Sequence, residues 1–380
     1  MTRSVDAAVL GAGVAGSAMA KALADRGWQT VLIDRQSFPR HKVCGEFMSP
    51  ESRSTLSALG LAEAVRALGP SRIARVRLRF ASGAEIEQPL PGEAWGISRY
   101  SLDAVLHAEA RSAGVELLAG TAVTAVYPDG ERYLVETKRG GATSALQARA
   151  VLCAWGANRR PGLPGYRPDG PEKSAYLGVK SHFRGIAMEQ AVEMYLFPGG
   201  YLGLCQVEGG LVNAAALLER RSFAQSGKSV LDFIGEAARR HPVLAARLSR
   251  AEPADGTQAA VAPVFLSRRP RAWDGMPLLG DAASMLPPLC GDGMSMALRS
   301  AALCVPLAAR YLRGACSLAE WQREYERAVR REFAGPLRWG GLLHKLLGVP
   351  SAGKWLAAAS GLAPGLARGW IRATRLKPDR

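Results

Sequence analysis

The chain predicts an α/β protein: a parallel βαβ unit at the amino end, an interleaved antiparallel sheet, and a helical cap at the carboxyl end. Three observations carry this. The first 35 residues join an apolar run to a glycine turn, a small-residue helix and a second apolar run, as buried parallel strands with a crossover helix do. Later segments, IARVRLRF at 73–80 among them, alternate with the period of two that strands require. Residues after Leu318 return to a helical pattern.

Taken in order, residues 5–10 are the first strand, GAGVAG is the turn, and 17–26 is a helix stopped by Gly27. A second strand, 29–33, ends at Asp34. Ser49-Pro50-Glu51 reads as a helix start, with Ser as cap and Pro at the first helical position. A helix at 100–112 precedes strands at 115–118, 121–127, 133–137 and 148–154, and the turn-rich run GLPGYRPDG at 162–170 marks a boundary. Strands at 176–183, 192–197, 201–207 and 211–215 form a second sheet, followed by helices within 229–250. A short strand at 276–279 then leads to a helix at 294–313. The expected units are 1–70, 98–160 and 255–335 for a nucleotide-binding domain, 71–97 and 161–254 for a substrate domain, and 336–380 for the cap.

A length of 380 residues suits two or three domains, and 48% hydrophobic with 22% charged residues supports a large core and excludes wholesale disorder. Lys and Arg number 49 against 33 Asp and Glu. Such a balance points to an anionic partner: a phosphorylated cofactor, an acidic carrier protein or a membrane surface. A coding bias toward Arg accounts for the same excess. The basic residues are scattered and form no nucleic-acid motif, so no nucleic acid is expected. Six cysteines without paired spacing imply neither a disulfide framework nor a metal site, and fit a cytoplasmic setting. No uncharged apolar run reaches spanning length.

The chemistry lies in two glycine motifs. Gly11, Gly13 and Gly16 have the spacing in which the first allows a tight turn, the second admits a pyrophosphate and the third lets helix pack on strand. Asp34, 23 residues after Gly11, is placed for a ribose. Gly280-Asp281 follows a strand, and Gly291 and Gly293 open a helix whose free N–H groups favour negative charge.

This second motif resembles that of FAD-dependent hydroxylases and, more closely, of geranylgeranyl reductases and the related flavin-dependent halogenases. The resemblance implies a Rossmann-like FAD-binding domain, with Asp281 on the ribityl hydroxyls and the backbone of Gly293 and Met294 at the flavin edge. HKVCGEFMSPE, 41–51, matches the family's Cys-Gly-Glu segment, and Arg99 matches an arginine that reaches toward the phosphate and ribityl region. The strand around Val123 meets the adenine by the same resemblance. Two departures stand out. Trp155 occupies the place of an Asp that contacts FAD and the nicotinamide donor, and the halogenase Trp-x-Trp-x-Ile-Pro segment is absent. Lys42 and Lys180 stand outside the context of the halogenase lysine.

Cys44 is the candidate catalytic residue, lying over the flavin and tuning or donating to the reacting atom; the alternative is a small buried hydrophobe. EMYLFPGGYLGL, 193–204, is similar to the segment that shapes the prenyl reductase cavity, so Tyr195, Phe197 and Tyr201 are candidate substrate contacts, or else core residues. His107, His182 and Glu193 have no partner visible in sequence.

The leading expectation is an FAD-dependent monooxygenase that acts through a flavin C4a-hydroperoxide on a hydrophobic aromatic or polyketide-like molecule. Reduction of C=C bonds in a prenyl or conjugated substrate is one alternative. A non-enzymatic flavoprotein with a basic docking tail is the other. FAD is non-covalent, with NAD(P)H or a flavin reductase as donor. The tail from 336 has eight basic residues against Asp379 alone, interleaved with Trp and Leu. It reads as a cap, a carrier-protein dock or a peripheral membrane contact. Since no flavin motif lies there, truncation after Gly348 is expected to leave FAD bound.

Overall fold

The structure, a computed structural model, describes residues 3–157, 161–166, 176–223, 227–266, 269–347 and 375–376. The turn-rich boundary at 162–170 and most of the basic tail therefore fall partly outside the described residues.

The opening unit is β1 (Arg3–Leu10), α1 (Val14–Ala24) and β2 (Thr30–Ile33). Every residue of β2 is buried, as expected where helices cover a parallel sheet. β3 (Phe47–Met48), α2 (Ser52–Ala58) and α3 (Ala62–Arg66) lead to a ribbon of β4 (Ser71–Phe80) and β5 (Glu85–Gly96). The helix expected to be capped by Ser49 begins two residues later, with Glu51 at its N-cap. The Ser49 and Ser52 hydroxyls instead both bond Ser295, at 2.6 Å each.

α4 (Arg99–Ser112), β6 (Glu116–Leu118), β7 (Ala122–Asp129), β8 (Arg132–Arg139) and β9 (Ala142–Cys153) complete a six-stranded sheet. Its order is β6-β2-β1-β9-β8-β7. Strands β6, β2, β1 and β9 run parallel, and β8 and β7 antiparallel, a parallel core with an antiparallel extension.

The second sheet adds β10 (Tyr176–Arg184), β11 (Ala191–Phe197), β12 (Gly200–Gln206) and β13 (Val212–Glu219). α5 (Val230–Arg239) and α6 (Pro242–Leu248) cover one face of it, and β14 (Glu252–Pro253) and β15 (Ala259–Val264) join β10. These nine strands are antiparallel except where β11 runs parallel to β4. The sheet is thus mixed rather than purely antiparallel. The β4–β5 ribbon is far from β11 in sequence and joins it by a crossover, not a hairpin. β3 and β15 pair in this sheet although both fall in segments expected of the nucleotide-binding unit.

The expected strand at 276–279 is reduced to two isolated bridges, Leu278 parallel with Cys153 and Pro277 antiparallel with Trp273. α7 (Gly293–Leu312) packs on α1, and α8 (Leu318–Leu347) packs on α7 as one helix across the boundary expected at 336.

Candidate functional site

The glycine turn is built by close contact. Gly11 has φ +107°, and a Cβ there would lie 2.5 Å from Trp155 Cα. A Cβ on Gly16 would lie 1.8 Å from the Gly11 carbonyl oxygen, so helix and turn meet backbone to backbone. Asp34 accepts the N–H of Ala12 on Oδ2 and of Gln36 on Oδ1, both at 2.8 Å, and so ties the end of β2 to the turn. His107, to which sequence assigned no role, holds the same turn through Nε2 and the Ala12 carbonyl at 2.7 Å.

A cavity of about 340 Å³ opens at this turn. At one end it is lined by Gly13, Lys42, Cys44, Arg99, Gly280 and Asp281, with Gly293 and Met294 from the start of α7. The other end is an aliphatic sleeve of Val76, Leu78, Ile86, Val192, Met194 and Leu217, closed by Leu343 and Leu347 of α8. The structure therefore brings Gly13, Cys44, Arg99, Gly280, Asp281, Gly293, Met294 and Tyr201 to one space. Gly11 and Gly16 shape the turn without lining that space, Asp34 braces it, and buried Val123 lies in β7 away from it.

Tyr195 and Phe197 are corrected. Both face the opposite side of the sheet, toward α5 and α6, where the Tyr195 hydroxyl donates to Glu193 at 2.5 Å and Phe197 packs near Phe223. Alternation is the reason: residues 192, 194 and 196 turn to the cavity side, so 193, 195 and 197 cannot. The hairpin register pairs Tyr201 with Leu196, which places Tyr201 alone of the three aromatics at the cavity.

The glycine-turn end of the cavity is strongly cationic. A Cβ on Gly13 would lie 3.7 Å from Arg99 Nη2 and 3.9 Å from Lys42 Nζ. Arg99 makes a two-pronged ion pair with Asp103, at 2.8 and 2.7 Å. Lys42 has no such close partner among the described residues, and the Arg99 charge, with burial, lowers its pKa. Two cations pressed together beside a helix N-terminus form an anion site. Together with the open N-terminus of α7, where nothing lies within 4 Å of a Gly293 Cβ, these residues fit a flavin dinucleotide, with the aliphatic sleeve left beyond it. Burial raises the Cys44 pKa, so its thiol stays protonated at neutral pH.

Below this end lies a cluster that sequence reading missed. Glu46 is the one described non-glycine residue with positive φ, 56°. Its carboxylate accepts from Lys180 Nζ at 2.9 Å, from the Arg99 N–H at 3.0 Å and from His182 Nε2 at 2.6 Å. His41, Glu46 and His182 alone resemble a metal triad, but the Lys180 ammonium fills the centre. The available signals were the Cys-Gly-Glu segment itself and the two-residue spacing of Lys180 and His182 on one strand face.

The carboxyl end also returns to the site. Arg375 lines the cavity and bonds Glu51 at 3.3 Å, and Leu376 is buried in the core under α1 and α7. Truncation after Gly348 thus removes cavity wall and core, contrary to the sequence expectation.

Fold and site together define a dinucleotide-binding protein of the flavoprotein type, whose residues fit FAD as cofactor. The chain belongs to the pyridine nucleotide-disulphide oxidoreductase family, whose model matches residues 5–204. Menaquinone reductase of Mycolicibacterium smegmatis is 34% identical over 135 residues, covering 34% of this chain and 32% of that protein. Digeranylgeranylglycerophospholipid reductase 2 of Methanopyrus kandleri is 25% identical, over 88% of this chain and 84% of its own length. The flavin-dependent brominase Bmp2 superposes with a TM-score of 0.81 at 21% identity, over 98% of this chain and 93% of its own. The chain thus spans about a third of that menaquinone reductase (32%).

Proposed function

We propose that the protein reduces carbon–carbon double bonds in a hydrophobic, prenyl-type substrate. The observation that carries this reading is the continuity of the cofactor end, where Cys44 keeps its proton, with a sleeve of branched aliphatic side chains. The names of the menaquinone and digeranylgeranylglycerophospholipid reductases support the same substrate class. Tyr195 and Phe197, carried over from the prenyl-reductase segment, face away from the cavity, so the reading rests on the aliphatic lining and not on that segment.

Bound FAD supplies hydride chemistry. Arg99, Lys42 and the N-terminus of α1 would hold its pyrophosphate, Asp281 would take the ribityl hydroxyls, and the N-terminus of α7 would favour negative charge on the flavin. Leu343 and Leu347 exclude water, which strengthens every polar interaction inside. The Cys44 S–H donates the proton that accompanies hydride delivery. The Trp155 indole donates to the Pro164 carbonyl at 3.2 Å and fills the place expected of the nicotinamide-contacting Asp, which favours a reductase partner as donor. Among the described residues no helix is long and apolar enough to cross a membrane. Trp339 and Leu342 are 47% and 55% exposed on α8, beside the cavity-lining Leu343. Their position supports delivery of substrate from a lipid surface.

The test is to photoreduce the FAD-loaded protein anaerobically, add a prenylated quinone or a geranylgeranyl lipid in detergent, and weigh the product. Gain of two hydrogens per double bond supports the reading. Gain of an oxygen atom on admitting air, with no saturation, favours the monooxygenase instead.

A further inference from the structure

The Glu46 cluster bridges the protein surface and the cavity. Glu46 lines the cavity, while Lys180 and His182 lie beneath it, fully buried. His41 is half-buried and stacks on exposed Tyr100 at 4.9 Å. Lys180 Nζ reaches Glu46 Oε1 at 2.9 Å, His182 Nε2 at 2.9 Å and His41 Nδ1 at 3.3 Å. The other groups facing the cluster are the Arg99 N–H, the Thr257 hydroxyl on the His182 N–H, the Cys205 thiol on the Glu46 carbonyl, and the Glu208 charge near His41.

Protons in this cluster compete for few positions. His182 Nδ1 is buried with no hydrogen-bond partner among the described residues. A proton there would be an unmet buried donor, so the network assigns it to Nε2, from which it goes to Glu46 at 2.6 Å. The Lys180 ammonium, 2.9 Å from the same nitrogen, then bids with the imidazole for one carboxylate. Shifting a proton among Lys180, His182 and Glu46 exchanges donors without dispersing the cluster. Glu46 meanwhile keeps a left-handed backbone that disfavours any residue with a Cβ, a strain of the kind stored at functional sites.

We propose that His41, Lys180, His182 and Glu46 form a proton relay from solvent to the cofactor cavity, ending at Cys44. This rests on the C=C reductase reading for its final acceptor. As the substrate carbon takes the Cys44 proton, the S–H bond breaks and a thiolate remains. The Glu46 backbone N–H holds the Cys44 sulfur at 3.4 Å, and the Glu46 carboxyl, on the wall of the same cavity as Cys44, returns to that thiolate a proton taken from Lys180. Lys180 recovers its proton from His41, and His41 takes one from water. One solvent proton therefore enters for each hydride delivered, and no charge accumulates. Glu46, Lys180, His182 and His41 are positioning and relay residues.

His41 is the residue to change, because it neither lines the cavity nor carries the buried pair. His41→Ala is expected to slow substrate saturation roughly 100-fold, the scale of a lost acid–base group. His41→Asn keeps an acceptor for Lys180 but carries no proton, and should be equally slow. Added imidazole should restore both variants saturably. A second measurement is independent of the substrate reading: photoreduced FAD-loaded protein, its cavity filled with phytane, is reoxidised by ferricyanide in weak buffer with a pH dye. Proton release should keep pace with flavin reoxidation in the parent, lag in both variants, and catch up with imidazole. Release that keeps pace in both variants, or a defect that Asn repairs and imidazole does not, overturns the relay. If release lags in both variants and recovers with imidazole, but the parent never saturates a double bond, the reductase reading fails and the relay stands.

Discussion

Substituting Ala at Gly13 separates cofactor binding from folding. Gly13 has φ −82°, a value open to any residue. Its added methyl would meet Arg99 Nη2 at 3.7 Å and Lys42 Nζ at 3.9 Å, ordinary contact distances, so the apoprotein should fold unchanged. That methyl instead occupies the approach by which a pyrophosphate reaches the N-terminus of α1. Loss of one charge-assisted hydrogen bond costs about 1.5 to 3 kcal/mol, or roughly 10- to 150-fold in FAD affinity. Gly16→Ala is the counterpart, because its methyl would fall 1.8 Å from the Gly11 carbonyl oxygen and force the backbone apart. The apoprotein itself should then lose roughly 1 to 3 kcal/mol, as overpacked sites do. Reconstitution of apoprotein, followed by flavin fluorescence, reports affinity, and urea unfolding without FAD reports stability. Unchanged affinity in Gly13→Ala would refute the placement of the phosphate. So would a Gly16→Ala apoprotein of parental stability, for the contact that defines the turn.

Lys180→Met strands the fully buried Glu46 carboxylate and should cost about 3 to 5 kcal/mol, with part recovered in the Lys180→Met, Glu46→Gln double variant; urea unfolding of all four proteins gives the coupling, and additive losses would speak against the pair. Asp292 is buried and pushed up to about 6 despite Arg375 nearby. A raised carboxyl pKa means stability present below the unfolded value and lost as pH rises through about 6. Asp292→Asn should therefore flatten the pH dependence of unfolding across that window, and an unaltered profile counts against the burial. Arg375→Ala, or truncation after residue 347, should weaken FAD binding; full retention of flavin on a desalting column would show the carboxyl end to be dispensable. Reduction by NADPH alone should stay well below the range of roughly 10 per second common for enzymes, with stopped-flow bleaching at or above that rate overturning the role given to Trp155.

The local parts of this protein were legible in its sequence. Gly11, Gly13 and Gly16 act over a few residues of turn and helix, where spacing alone dictates which backbone approaches which, and strand alternation in β4 and β10 to β13 needs only neighbours. Asp281, Gly293 and Met294 came from the resemblance of the second motif, and the structure sets all three on the cavity wall. Long-range register decided the rest. Which face of β11 meets the cavity depends on how the hairpin with β12 seats against β4, so the aromatic face, more conspicuous in sequence, went to α5 and α6. Glu46 and Lys180 lie 134 positions apart. No sequence pattern marks a buried carboxylate and ammonium as partners, since either is stable in the core only once folding delivers the other. The same holds for Arg375, which the chain brings back to Glu51 across 324 positions. Composition foretold a basic tail, but only tertiary packing makes its last described residues part of the cavity wall and core.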